Sequence, residues 1–366
     1  MSDFDIIKST DILDIASPTG RMIDGKKECL LNANLIKPII LYSPSTLGNS
    51  IKYNGKNLIS HINASLSTNS NPKVWYESGS TGNPFGSSAI NSICYDNGKY
   101  VAGGERGNMA YSTDGVNWTA VSDSTFRDYH IRSIRYGNGK FVAGGRSGNM
   151  AYSTDGINWT AVSDSTFGNT YIYSICYENG KFVAGGGYGK MAYSTDGVNW
   201  TKVLYSTFGD SHIRSICYGN GKFFAAGTGG KMAYSTDGIT WTKIDNSAFE
   251  SSNSIYSICY GNGKFVAGGG YGEIAYSTDG VNWTAVGNST FERSSDIRSI
   301  CYGNGKFVAS GLSGKMAYST DGVNWTAVGN TTFGSLGIYS ICYGNGKYVA
   351  GGNEGKMAYC QVGVPE

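Results

Sequence analysis

Apolar and polar positions repeat along most of the chain in one short pattern. In the third unit of the repeat, an apolar run over residues 172–177 turns at Asn179 and Gly180 into a second apolar run. Asn-Gly between two apolar runs is a strong hairpin signal, because both residues tolerate positive φ. A glycine-rich turn then leads to a third run over 190–193, and residues 194–200 (STDGVNW) turn it into a fourth. The pattern predicts four antiparallel strands in each unit.

The first strand of each unit carries apolar residues at both alternating positions. In the third unit the alternation predicts Ile172 and Cys176 on one face of the sheet. It predicts Ile175 and Tyr177 on the other face. Strands of this kind are covered on both sides. A single unit cannot cover its own two faces, so the units are expected to stack side by side and close into a ring.

Seven units follow one another at a spacing of 41 or 42 residues, which matches a four-stranded propeller blade. Their first residues are Ile90, Ile131, Ile172, Ile213, Ile255, Ile297 and Ile338. The last unit ends before its fourth strand, whereas residues 73–78, with Trp75, precede the first unit as a fourth strand would. The sequence therefore predicts an all-β, seven-bladed propeller of four-stranded antiparallel blades over residues 73–366. Residues 73–78 would supply the outer strand of the last blade.

Residues 1–72 do not fit the repeat. Residues 51–59 (IKYNGKNLI) predict a small hairpin, residues 29–42 are strand-prone, and residues 64–71 read as a polar linker. We interpret residues 1–72 as a small β-rich region that anchors the propeller to other structural subunits of an assembly. A flexible leader is the alternative interpretation.

Six copies of the sequence Ser-Thr-Asp-Gly-x-x-Trp recur in register, from residues 112–118 to residues 319–325. The motif resembles the Asp-box, also called the bacterial neuraminidase repeat. This resemblance implies a propeller, and the family includes sialidases, a photosystem assembly factor and many phage or bacterial surface proteins. In such a turn the Ser and Asp side chains can bond the backbone, Gly permits positive φ, and Trp packs between blades. Repeated acids such as Asp155 are therefore interpreted as turn braces, and not as catalytic groups or metal ligands.

Charge and cysteine usage narrow the possible partners. The net charge is +2, which is too small to favour nucleic acid or an anionic membrane, and no apolar run is long enough to predict a membrane span. Six of the eight cysteines recur at one repeat position. They are predicted to be buried free thiols, because equivalent positions on successive blades are seldom close enough for a disulfide. The second unit carries Arg135 at this position, a charge that the pattern does not explain.

Differences between the units fall in two connections, one between strands two and three and one leading to the next blade. In an up-and-down blade both lie on one face of the disc, here called the variable face. The Asn-Gly and Asp-box turns lie on the opposite, constant face. The residue after each first isoleucine alternates between Arg and Tyr in most units, which would offer guanidinium donors and stacking faces to sugars or acidic groups. Packing of arginine stems against neighbouring tyrosine rings is the alternative. The predicted ligand-binding residues are Arg106, Tyr129, His130, Arg132, Arg146, Tyr171, Tyr173, Tyr188, His212, Arg214, Tyr256, Tyr271, Arg298 and Tyr339.

These features favour a non-enzymatic recognition or attachment module without cofactor or metal, whose variable face binds a cell-surface glycan or protein. A virion or phage-like particle is the expected location, and the cytoplasm is the alternative because the N-terminus lacks the build of a secretory signal. A purely architectural virion or assembly-factor subunit is the first alternative function. A sialidase-like glycosidase using Arg132, Arg214 and Arg298 is the second. The short, uniform loops and the three histidines, which form no Ser-His-Asp or metal pattern, argue against an enzyme.

Overall fold

The computed structural model describes residues 71–78 and 83–362, together with the backbone of four short strands before residue 71. The chain divides into two compact units, Met1–Ser70 and Asn71–Glu366. The first unit contains two short hairpins, Arg21–Ile23 with Lys26–Glu28 and Lys52–Tyr53 with Lys56–Asn57. The second hairpin lies within the predicted residues 51–59. The strand-prone stretch 29–42 and the linker residues 64–70 lie outside the described residues.

The second unit contains seven four-stranded antiparallel sheets, which are the predicted blades. The first strands of blades 1 to 7 are Ile90–Asp96, Ile131–Gly137, Ile172–Glu178, Ile213–Gly219, Ile255–Gly261, Ile297–Gly303 and Ile338–Gly344. The second strands are Lys99–Gly104, Lys140–Gly145, Lys181–Gly186, Lys222–Gly227, Lys264–Gly269, Lys306–Gly311 and Lys347–Gly352. The third strands are Met109–Ser112, Met150–Ser153, Met191–Ser194, Met232–Ser235, Ile274–Ser277, Met316–Ser319 and Met357–Gln361. The fourth strands are Thr119–Ala120, Thr160–Ala161, Thr201–Lys202, Thr242–Ile244, Thr284–Ala285, Thr326–Ala327 and, for blade 7, Tyr76–Glu77.

The ring closes as the sequence predicts. Tyr76 and Glu77 pair antiparallel with Tyr359 and Ala358, so the outer strand of blade 7 precedes blade 1 in the chain. Trp75 is buried in the same apolar cluster as Ala358. Both ends of the propeller are therefore held in one sheet, which leaves no open blade at the point of closure.

The core consists of seven apolar clusters, one between each pair of neighbouring blades. Between blades 2 and 3, for example, Val142 and Met150 pack against Ile172, Ile175 and Trp200. The turn of each Ser-Thr-Asp-Gly-x-x-Trp motif is here called the Asp turn. The tryptophan that ends it is buried in the cluster between its own blade and the preceding blade. Each sheet thus contributes to two clusters, which explains why both parities of its inner strands are apolar.

The predicted faces of the first strand are wrong at its beginning. The register shifts between Ile172 and Ser174, which marks a β-bulge, and the same shift occurs in all seven blades. The extra residue reverses the alternation. Ile172 therefore lies on the same face as Ile175, towards blade 2, whereas Cys176 faces blade 4.

A ring of hydrogen bonds joins the innermost strands of neighbouring blades. The backbone N–H of Ile175 donates to the Oγ of Ser133 in the preceding blade at 2.9 Å. The same bond joins every neighbouring pair of blades, including Ile93 to Ser340 at the closure. A first strand is the inner edge of its sheet, so the N–H groups that point away from the second strand have no strand partner. The serine hydroxyl of the preceding blade supplies an acceptor for one of them.

Among the described residues, none of the helical segments is long and apolar enough to cross a bilayer. The cysteines of this part of the chain are free thiols.

Candidate recognition face

The two variable connections lie on one face, as predicted. Between strands two and three each blade forms a three-residue 3-10 turn, here called the tip, and its first N–H bonds the carbonyl of the residue that precedes the same blade. Examples are Arg146 to His130 and Gly187 to Tyr171, both at 2.9 Å. The tips are Glu105–Gly107, Arg146–Gly148, Gly187–Gly189, Thr228–Gly230, Gly270–Gly272, Leu312–Gly314 and Asn353–Gly355.

The middle residue of each tip adopts the left-handed backbone conformation. In six blades this residue is not glycine, with φ between 53° and 56°, and blade 4 has Gly229. An L-residue is disfavoured there by roughly 1–2 kcal/mol. The six residues are Arg106, Ser147, Tyr188, Tyr271, Ser313 and Glu354.

At the junction of blades 1 and 2, the predicted Arg132 has a hydrogen-bond partner within the chain, and the predicted His130 lies near an acid. Arg132 donates to the Oδ1 of Asn91 at 3.1 Å. His130 Nδ1 lies 3.6 Å from an oxygen of Glu105. Burial, followed by the charge of Arg132, lowers the pKa of His130 although Glu105 opposes this. The imidazole is therefore neutral at pH 7, and the contact with Glu105 is not an ion pair.

The junction of blades 3 and 4 brings five predicted residues together. The rings of Tyr171 and Tyr173 are parallel with centroids 5.4 Å apart. The Arg214 guanidinium lies over the ring of Tyr173, with its Cζ 4.2 Å from the ring centroid. Among the described residues, no acceptor bonds the Arg214 guanidinium, and its Nε is buried without a partner. The packing interpretation of the Arg–Tyr alternation is therefore correct here, and it leaves the donors of Arg214 available.

His212 connects this cluster to the tip of blade 3. Its Nδ1 accepts a hydrogen bond from the N–H of Tyr188 at 3.2 Å, and its ring makes edge contacts with Tyr173 and Tyr188. Burial, followed by the charge of Arg214, lowers the pKa of His212. The neutral imidazole can therefore accept this bond at pH 7, while the Tyr188 side chain remains 63% exposed.

The junction of blades 5 and 6 repeats this geometry with an acid in place of the histidine. Asp296 accepts the N–H of Tyr271 at 3.2 Å, and its other oxygen binds Arg298 at 2.9 Å. Arg298 also lies over the Tyr256 ring, with its Cζ 4.2 Å from the centroid. Unlike Arg214, Arg298 is thus neutralised by a neighbour in the chain.

The remaining predicted residues lie apart from these three groups. Arg106 and Arg146 are exposed on the tips of blades 1 and 2, and Tyr129 is exposed in the connection to blade 2. Tyr339 is half-buried on the first strand of blade 7. The structure therefore places all of the predicted residues on the variable face and joins all but these four in three junctions.

Sequence reasoning missed Leu204 and Tyr205, which are 78% and 83% exposed on the junction of blades 3 and 4. At five of the other six junctions the residue equivalent to Tyr205 is Asp or Asn, and its side chain accepts an N–H two residues later. Tyr205 cannot make this bond, yet Thr207 keeps the left-handed backbone with φ of 68°. The internal comparison of the repeats contained this signal, because an apolar Leu-Tyr pair replaces polar or small residues.

On the constant face, the acids of the repeated motif brace their turns. Asp155 Oδ1 accepts the N–H groups of Ile157 and Asn158 at 2.8 Å, and its Oδ2 accepts the Asn158 amide at 2.7 Å. Ser153 Oγ donates to the same carboxylate and accepts the N–H of Gly156. Although burial opposes the shift, these bonds hold the pKa of Asp155 well below its ordinary value. The prediction that these acids brace turns is confirmed.

The seven sheets are those of a seven-bladed β-propeller. A family model described as the DUF6242 beta propeller domain matches residues 175–267, in blades 3 to 5. No curated protein matches the sequence.

Solved structures share the fold at low sequence identity. YCF48 from Cyanidioschyzon merolae has a TM-score of 0.61 and 16% identity, over 78% of this chain and 98% of that one. YCF48 bound to D1 peptide has a TM-score of 0.63 and 16% identity, over 81% and 96%. A catalytically inactive virginiamycin B lyase from Staphylococcus aureus with quinupristin has a TM-score of 0.64 and 12% identity, over 79% and 99%.

Proposed function

We propose that this propeller is a non-enzymatic recognition module that binds an exposed segment of a partner protein on its variable face, at the junction of blades 3 and 4. One observation carries the proposal: this junction combines exposed Tyr188, Leu204 and Tyr205 with Arg214, whose guanidinium has no acceptor among the described residues. Tyrosine and arginine are the residue types enriched at binding hot spots. An acidic side chain flanked by apolar ones would fit them.

The exposed Leu-Tyr pair supports a protein ligand over a glycan. A leucine side chain offers a sugar no hydrogen bond and no aromatic stacking face, whereas it can bury apolar area against a protein. Tyr205 also lacks the turn bond that the Asp or Asn side chain makes at five of the other six junctions. A position that breaks the local rule of its own repeat, with no gain inside the fold, is typical of a functional site.

The occupied side chains support a non-catalytic role. Arg298 is bound by Asp296, and Arg132 is bonded to Asn91, so a three-arginine substrate site of the sialidase kind would first have to break these contacts. The His212 nitrogen that could act as a base already accepts the Tyr188 N–H. A peptide in complex with the similar YCF48 propeller supports a protein partner.

We also propose that residues 1–72 attach the propeller to other subunits of a virion or phage-like particle. The resemblance of the repeated motif to Asp-box propellers of phage-like surface proteins supports this proposal. Immunogold labelling of the propeller in electron micrographs of released particles is its test. Label projecting from particles is expected; label buried among subunits would favour an architectural part, and label confined to the cytoplasm would contradict the particle location.

The binding proposal is tested with a displayed library of random peptides selected on the wild-type protein. Selected peptides are expected to carry acidic and apolar side chains. Arg214→Ala is expected to weaken their binding about tenfold or more, which corresponds to the loss of a hot-spot side chain. Val281→Ala, an exposed position on the constant face, should leave binding unchanged.

A second variant restores the residues of the other blades at the Leu-Tyr pair. Leu204→Ser with Tyr205→Asp copies the Ser-Asp of residues 122–123 and 163–164. It should remove peptide binding while raising the free energy of unfolding by about 0.5–1 kcal/mol, because the turn regains its hydrogen bond. Peptides that bind this variant normally would contradict the proposed junction. Binding of arrayed glycans, dependent on Arg214, would replace the protein ligand with a glycan.

A further inference from the structure

One charged side chain lies at the centre of the ring without an ion pair to any of the described residues. Arg135 is the fifth residue of the first strand of blade 2, the position at which the other six blades carry cysteine. First strands are the innermost strands, so these seven side chains surround the axis of the propeller. Arg135 is exposed to solvent although it belongs to an inner strand. It therefore extends into the open space along the axis.

Electrostatic coupling across the ring supports this position. The Arg135 charge acts on the thiols of Cys94 and Cys176 in the adjacent blades, and also on Cys259 in blade 5. Blades 2 and 5 lie on opposite sides of a seven-membered ring. The guanidinium is therefore close enough to the axis to influence both sides.

Among the described residues, no side chain of the surrounding wall forms an ion pair with the arginine. Burial raises the pKa of Cys94 to about 12 and of Cys176 to about 11 although Arg135 opposes the shift, so these thiols are neutral at pH 7. Glu178 and Asp96 occupy the last position of the first strands of the adjacent blades. Glu178 is near enough to favour the charge of Arg135, yet neither acid forms an ion pair with it.

The fold itself does not need an arginine here. Six blades pack well with a cysteine at the same register, so the guanidinium adds a cation that the scaffold does not use. No hydrogen bond or ion pair joins it to another residue of the described chain. A guanidinium presents a planar fork of N–H donors that matches a carboxylate, phosphate or sulfate group.

We propose that Arg135 forms an anion-binding site inside the propeller, where its guanidinium holds one small oxyanion against the ring of neutral thiols. The site is distinct from the variable face and does not depend on the function proposed for that face. The thiols contribute a wall that does not repel the anion. They do not provide a metal site, since the described residues contain no group of three or more His, Cys, Asp and Glu side chains that could hold a metal ion.

The direct test is a titration of the full-length protein with inorganic phosphate at constant ionic strength, followed by NMR of the arginine Nε–H groups. One resonance, identified by its absence in Arg135→Cys, is expected to shift and to saturate. Arg135→Cys should fold, because it restores the residue of the other six blades. Arg135→Lys keeps the charge without the planar fork and is expected to bind phosphate several-fold more weakly.

A thermal measurement adds a second readout. Phosphate should raise the unfolding temperature of the wild type and of Glu178→Gln, and the rise attributable to this site should vanish in Arg135→Cys. An acetate titration distinguishes the class of anion that the site binds. A response to acetate equal to that with phosphate indicates a site for carboxylates as well, and a weaker response indicates a site for phosphate or sulfate. The proposal is overturned if the Arg135 resonance does not saturate, or if phosphate stabilises Arg135→Cys equally. Phosphate binding seen only in Glu178→Gln would also overturn it, because Glu178 would then be the native counterion.

Discussion

The two faces of the propeller fill the left-handed backbone region with different residues. On the constant face the region is occupied by residues that tolerate it, such as Asn138 and Gly139 of the second-strand turn and Gly156 of the Asp turn. On the variable face six of the seven tips place Arg, Ser, Tyr or Glu there. The sequence of the constant face therefore follows the demands of its own backbone, whereas the variable face accepts strain to display particular side chains.

The difference extends to the polar side chains. On the constant face, the oxygens of Asp155 and its equivalents accept turn N–H groups. On the variable face, Arg214 has donors without acceptors and Tyr205 makes no turn bond. The acids of the Asp turns thus serve their own backbone, whereas the junction of blades 3 and 4 keeps polar groups available for binding.

The largest effect is expected when all the acids of the constant face are protonated together. Although burial opposes the shift, the N–H groups of Thr240 and Ile239 lower the pKa of Asp237 to about 2, and those of its five equivalents are also lowered. An unfolded Asp has a pKa of about 3.9. Because the folded pKa is the lower one, this stabilisation is complete above about pH 5 and is lost as the pH falls towards 2 and below.

Chemical denaturation between pH 7 and pH 2 checks this window. Constant stability from pH 7 to about pH 5, followed by a fall below pH 4, is expected. A decline centred near pH 6 would instead attribute the acid sensitivity to the histidines of the variable face.

Asp155→Ala removes a single brace and is expected to lower the free energy of unfolding by about 2–3 kcal/mol, because two turn N–H groups lose a charged acceptor. The matched change on the variable face is Arg146→Ala, which should stay within about 0.5 kcal/mol of the wild type. Urea denaturation of both variants compares the faces directly. Equal losses would contradict the division of roles.

Tyr188→Gly relieves the left-handed strain at the tip of blade 3. Since the contact with His212 is also lost, the free energy of unfolding should change by between about 0 and +1 kcal/mol. Binding of selected peptides should nevertheless fall, whereas Ser147→Gly, which relieves the same strain on blade 2, should keep it. A destabilised Tyr188→Gly protein would show that the tyrosine is there for the fold.

The smallest effect concerns the one Asp turn with an altered sequence. Blade 4 has Thr240 where the other turns have Asn, so Asp237 receives a bond from the Thr240 hydroxyl and not the side-chain amide bond that Asp155 receives at 2.7 Å. Thr240→Asn is expected to raise the free energy of unfolding by about 0.5–1 kcal/mol. No increase in the thermal midpoint would mean that this exposed amide bond contributes nothing to the stability of the turn.

Much of the architecture follows from the repeat in the sequence. The seven blades, the closure by Tyr76–Glu77 and the turn role of Asp155 were all predictable, because spacing and turn chemistry specify them. The β-bulge at Ile172 was not. Both parities of that strand are apolar, so the pattern looks the same whether or not one residue is inserted.

The candidate site was predictable in position more than in detail. The alternation of Arg and Tyr indicates the variable face, yet the alternation alone does not distinguish Arg214 from Arg298. The difference depends on the residue two positions earlier in the chain, which is His212 in one blade and Asp296 in the other. The left-handed tips were also not predictable, since residues such as Tyr188 have no preference for that conformation. Leu204 and Tyr205 could have been found by comparing blades at that position.

Blocking each face in turn tests most directly whether binding belongs to the variable face. Two variants each carry a single new thiol, Asp210→Cys at the junction of blades 3 and 4 and Val281→Cys on the constant face. Both also carry Cys29→Ser, which removes the cysteine that precedes the propeller in the chain. Burial raises the pKa of propeller thiols such as Cys94, Cys176 and Cys259, so these thiols should react slowly with a polyethylene glycol maleimide. Affinity for peptides selected on the wild type is measured before and after labelling. The polymer at residue 210 should abolish binding while the polymer at residue 281 leaves it unchanged, and the reverse result would contradict the account.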